Sequence, residues 1–133
     1  VEQLFTYRLD VFGVPRRSFF SGLAHFASSA AHAERLREFA APKGAAELAE
    51  YASRSRRTYA EVLVDFASAR PPLAHYLDLI PPLRPRYFSI ASAAAAHPQQ
   101  VHLCVGIVRY QTMIQAPRFG VCSTFLAALR PAA

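Results

Sequence analysis

Apolar residues recur three and four apart along the first eighty or so positions of the chain, and that spacing predicts helices. Phe19, Phe20, Leu23 and Phe26 fall on one face of a segment that Ser18 is expected to cap. From His32 to Ala41, Leu36 and Phe39 share a face, while Glu34 and Glu38, four apart, share another. Pro42-Lys43-Gly44 breaks this helix, and Ala45 to Ala52 resumes it with Leu48 and Tyr51. Thr58 followed by Glu61 three residues on has the form of a capping box, with Val62, Leu63 and Phe66 as the apolar stripe behind it. Pro71-Pro72 then sets off a short helix holding Tyr76, Leu77 and Ile80. Short links marked by Pro or Gly predict a compact helical unit.

The register changes after Pro81-Pro82. Residues 84–91 predict a strand, and Ala93 to Pro98 a connection. Val101 to Tyr110, rich in β-branched and aromatic residues, predicts the next strand, with Cys104 in its core. Residues 111–119 are expected to loop through Pro117, and Gly120 to Leu129 to form a final apolar helix. The fold class expected is therefore α+β, a helical subdomain over residues 1–82 followed by strands and a helix over 83–133.

Composition narrows the classes. A chain of 133 residues is one domain, or one with a subdomain, and can bury a core. Hydrophobic content of 53% with 18% charged residues excludes disorder. No apolar run approaches the roughly 20 residues that span a bilayer, so no membrane association is expected. Val1-Glu2-Gln3 lacks the basic-then-apolar pattern of a signal peptide, and the missing initiator Met predicts a piece of something longer. Cys104 and Cys122 have neither metal spacing nor a disulfide framework, so they are expected as reduced thiols in a cytoplasmic protein. The five histidines show no ligand spacing, so no metal is expected; Asp65 and Asp78 are scattered and receive no catalytic role.

The formal charge of +6 is uneven. Residues 1–65 carry nine basic and eight acidic side chains, whereas residues 66–133 carry six arginines against Asp78 alone. A single lysine, Lys43, and no basic run longer than a pair make nucleic acid a poor partner.

The positive half holds the most telling motif, Arg86-Tyr87-Phe88-Ser89, running into Ile90-Ala91-Ser92. A cation, a flat ring and a hydroxyl on one short segment suit a ligand with a phosphate at one end and a planar heterocycle at the other. Arginine makes charge-assisted, often bidentate bonds to phosphate. Gly120-Val121-Cys122-Ser123 then opens the last helix, whose amides and dipole favour a second contact with the same pyrophosphate. Gly120 is expected to permit a sharp turn and a close approach, and Ser123 to cap the helix or donate its hydroxyl. Arg56-Arg57 precede the helix capped by Thr58, an unfavourable place for cations. A ligand anion or a salt bridge to Glu61 would each resolve that conflict. Together these features point to a flavin dinucleotide.

These residues resemble a known family. Pro15-Arg16-Arg17-Ser18-Phe19-Phe20, Arg56-Arg57-Thr58 with Glu61-Val62-Leu63 and Asp65-Phe66, and Arg84-Pro85-Arg86-Tyr87-Phe88-Ser89-Ile90-Ala91-Ser92 are similar to the FAD-binding region of the diflavin reductases. Gly120-Val121-Cys122-Ser123 with Phe125-Leu126 carries the likeness almost to the end of the chain. Phe88, where the microsomal cytochrome reductases and sulfite reductase flavoproteins usually carry Tyr, and Cys122 set it apart from those branches.

The resemblance implies an incomplete antiparallel FAD-binding β-barrel, ferredoxin-reductase-like, with a helical connecting subdomain inserted into it. It implies FAD contacts at Arg56, Arg86, Tyr87, Phe88, Ser89, Gly120, Val121, Cys122 and Ser123, with Ser89 near the flavin N5 assisting hydride transfer. Phe88 lacks the phenol hydroxyl of its counterparts and so keeps only the stacking. It further implies an NADPH-dependent oxidoreductase that relays electrons from NADPH through FAD and FMN to an iron–sulfur protein of cytosolic cluster assembly. FMN and NADPH would bind in domains of the same protein that this chain lacks, so the segment alone is not expected to turn over NADPH. The alternative is a helical docking module whose arginines meet an acidic protein partner without flavin.

Overall fold

The computed structural model describes residues 1–112 and 117–130, and it divides into two compact units, Val1–Arg84 and Pro85–Ala133. The first unit is helical: α1 Glu2–Tyr7, α2 Arg17–Leu23 with a 3-10 turn Ala24–Phe26, α3 Ala30–Ala40, α4 Ala45–Leu48 running into a π-helical stretch Ala49–Arg54, α5 Tyr59–Asp65 and α6 Leu73–Leu79. Its core is built from the predicted stripes. α2 buries Phe19, Phe20 and Leu23, α3 buries Ala33, Leu36 and Phe39, and α5 with its C-cap buries Tyr59, Val62 and Phe66. Each fully buried Leu or Phe of this kind contributes about 1.5–3 kcal/mol. The rings meet edge to face, Phe19 against Tyr59 at 4.8 Å and Phe20 against Phe39 at 5.6 Å, the arrangement their quadrupoles favour.

Local signals set most helix limits. Ser29 caps α3 by accepting the His32 amide, and Thr58 with Glu61 closes a full capping box on α5. Val11 and Gly13 carbonyls take the Ala60 and Tyr59 amides, so the start of α5 is satisfied by the chain itself. Ser18 does not cap α2; the N-cap is Arg16 and Ser18 lies inside the helix. Gly44 is required by close approach, since a Cβ there would stand 2.0 Å from the Glu38 carbonyl oxygen. The unit is closed by a bridge between Leu9 and Pro82, with the Asp10 amide on the Pro81 carbonyl and the Leu83 amide on the Arg8 carbonyl.

The second unit holds β1 Arg109–Tyr110, antiparallel to β2 Arg118–Phe119, and α7 Val121–Ala128. Arg109 faces Phe119 and Tyr110 faces Arg118. The two strands expected over 84–91 and 101–110 are much shorter than their sequence pattern: a bridge of Ile90 to Leu103, then β1 itself. Val101, Leu103, Ile107 and Val108 are exposed, and Cys104, expected in a strand core, is exposed as well. A β-prone run becomes a strand only when a neighbour takes its amides and covers one face. Among the described residues of this unit only Ser123 is buried. The helical and small antiparallel parts agree with the α+β class; a barrel is not seen among the described residues.

Candidate cofactor site

In the second unit, Arg86, Tyr87 and Ser89 are exposed and Phe88 is half-buried. The segment is without regular hydrogen-bonded structure until the bridge at Ile90, where the Ala91 amide bonds the His102 carbonyl at 2.8 Å. Tyr87, at 93% exposure, offers a ring face that no protein group covers.

Gly120 is the N-cap of α7, with φ −69° and ψ 118°, a conformation open to any residue. No left-handed conformation is therefore required of it, and the missing Cβ serves packing: it would lie 2.7 Å from the Val108 Cβ and 2.8 Å from the Ser123 Oγ. The Gly120 amide donates to the Val108 carbonyl at 2.8 Å. The buried Ser123 hydroxyl accepts the Val108 amide at 3.0 Å and donates to the Gly120 carbonyl at 3.2 Å. Its one proton is engaged there, and the bonds stitch the start of α7 to the residue before β1. Val121 is exposed and Cys122 half-buried. The first-turn amides of any helix lack carbonyls within it, which is what an anion can use.

Arg56 stands in the first unit and is exposed, with φ 53°. Its left-handed backbone closes the π-helical stretch: the Arg56 amide bonds the Ser53 carbonyl and the Arg57 amide bonds the Ala52 carbonyl, the double bond of a Schellman motif. Arg57 pairs with Asp65. Its Nε lies 2.6 Å from Asp65 Oδ2, and its guanidinium carbon sits 4.4 Å above the Tyr51 ring. The Tyr51 hydroxyl donates to the same Asp65 oxygen at 2.6 Å. Burial, then the bond to Asp65, pushes the Tyr51 phenol well above its ordinary value. In the sequence Tyr51 reads as an apolar-stripe residue and Asp65 as a scattered acid, because no spacing signals that residues 51, 57 and 65 meet.

None of the predicted residues lines the open cleft of about 440 Å³ formed by Leu4, Tyr7, Arg8, Leu9, Leu77, Pro82 and Leu83. Among the described residues no three His, Cys, Asp or Glu side chains gather as a metal site, and no helix is long and apolar enough to cross a membrane.

Comparison with known proteins adds an independent line. The family model described as FAD binding domain matches residues 1–125. NADPH-dependent diflavin oxidoreductase 1 of Mus musculus is 49% identical across 98% of this chain, which covers 22% of that protein. The proteins of the same name from Yarrowia lipolytica and Arabidopsis thaliana are 45% and 44% identical, over 97% and 88% of the chain and 19% of each relative. The chain thus spans about a fifth of the length of the relatives it matches.

Proposed function

This chain belongs to the FAD binding domain family, and from that premise we propose that it is the FAD-holding part of a longer NADPH-dependent diflavin oxidoreductase. The observation that carries the reading is the tetrad: a guanidinium, an aromatic ring and a hydroxyl, all exposed within four residues. Arg86 neutralises phosphate, Tyr87 and Phe88 offer rings to planar parts of the ligand, and Ser89 holds a hydroxyl near the flavin's polar edge. The first-turn amides of Val121, Cys122 and Ser123 meet the pyrophosphate with Gly120 beside them, and Arg56 provides a further cation. The residues suit the group, because an unpaired diphosphate would be costly to bury and arginines with helix-start amides offset that cost.

When bound, FAD supplies two-electron acceptance and one-electron release, and the protein supplies binding and orientation. In this reading residues 1–82 are the connecting subdomain and residues 83–133 are barrel strands with the pyrophosphate helix. Exposed Ile90, Val101, Leu103, Ile107 and Val108 are then faces that the rest of a barrel covers. NADPH and FMN are held by other domains of the same cytoplasmic protein, and an iron–sulfur protein accepts the electrons.

In the full-length protein, Arg86→Ala should weaken FAD binding by about 1.5–3 kcal/mol, read by quenching of flavin fluorescence. An unchanged affinity would remove Arg86 from the site. Absence of any flavin binding by the intact protein would favour the docking module instead.

A further inference from the structure

The place of Arg56 in the chain is costly. A side-chain-bearing residue in the left-handed region is disfavoured, and glycine is the usual occupant of this Schellman position. Here the conformation is held from both sides. Before it, the Ser55 side chain is buried and its Oγ donates to the Tyr51 carbonyl. After it, Arg57 is fixed by its amide on Ala52, its Nε on Asp65 and its guanidinium on the Tyr51 ring. Asp65 in turn is fixed by the Tyr51 hydroxyl, and the Tyr51 ring is stacked on buried Phe39 at 4.7 Å with an interplanar angle of 20°. A π-helical stretch, itself uncommon outside functional places, brings Tyr51 to this position. Both chain neighbours of Arg56 are thus tied to the core, and Arg56 itself is an exposed residue.

We infer that Tyr51, Arg57 and Asp65 are positioning residues that form a rigid pedestal, fixing the left-handed backbone at Arg56 and so the point from which its side chain reaches a phosphate-bearing ligand. The inference rests on the reading of Arg56 as an FAD contact and adds the three residues that act through it. A backbone fixed before binding lowers the ordering cost of this loop when the ligand arrives.

The test is FAD titration of the full-length apoprotein, with melting temperature as a second readout. Asp65→Asn and Tyr51→Phe should each raise the Kd for FAD by about threefold or more, and the increase should vanish when Arg56 is already alanine, as coupled residues require. Tyr51→Phe keeps the ring beneath Arg57, so it carries the test if Asp65→Asn fails to fold. Arg56→Gly should lose the affinity that Arg56→Ala loses yet melt higher, because glycine relieves the backbone. An equal increase in Kd in the Arg56→Ala background would make the cluster a support of the fold alone and overturn the pedestal. So would a Kd raised by Arg56→Ala but unmoved by Asp65→Asn and Tyr51→Phe. A Kd unmoved by Arg56→Ala would remove the cofactor contact itself, and the pedestal with it.

Discussion

At the scale of single residues, the ionisation of Tyr51 has a consequence for stability. Its phenol is held protonated in the fold by burial and by the Asp65 carboxylate, above the ordinary value of 10.0. The unfolded chain loses this proton near pH 10 while the folded chain keeps it. The stabilisation is therefore complete below that pH and is lost as pH rises beyond it. Buried Tyr59 shifts the same way, chiefly through burial. The melting temperature should fall between about pH 10 and pH 11, and Tyr51→Phe should flatten the fall. Parallel curves for the two proteins would show that Tyr51 does not carry the effect. Sequence alone could not have shown this, since Tyr51 reads simply as an apolar-stripe residue. Its meeting with Arg57 and Asp65 depends on how the π-helical stretch and α5 turn toward each other.

At the scale of elements, the capping box at Thr58 proved legible, whereas Ser18 as a cap and the strand signals did not. Thr58 and Glu61 satisfy one another's backbone amides within four residues, so neither needs a distant partner. Thr58→Ala should cost about 1 kcal/mol in denaturant unfolding, and Thr58→Ser should retain most of the stability. Equal losses for both variants would mean that the methyl packing, not the hydroxyl, is what counts. Residues 84–91 and 101–110 carry the β-branched pattern of strands, yet they form little ladder here. A strand's stability comes from cross-strand pairs and from the face it buries, and neither is written in the strand's own residues. The reason for Gly120 was likewise hidden. Its use is to admit Ser123 from the next turn and Val108 from twelve residues earlier in the chain, and the second contact is not local.

At the scale of the molecule, the two units differ in how much they bury. The first unit encloses Phe20, Leu23, Leu36, Val62 and Ile80 completely, whereas Ser123 alone is buried among the described residues of the second. Amide exchange follows local opening, which is least costly where few apolar contacts must break. In this chain by itself, amides of α2 and α3 should exchange far more slowly than those of α7, measured by mass spectrometry of peptides. Equal protection would show a core in the second unit that these side chains do not form. By itself the sequence determined the main helices of the first unit, the capping box at Thr58 and the tetrad, because periodicity, capping and motif order are relations among neighbours in the chain. Only the tertiary structure decided the left-handed Arg56, the Tyr51–Asp65–Arg57 cluster and the shortness of the strands. Those depend on which surfaces meet after the chain has folded, and no local pattern of residues encodes that meeting.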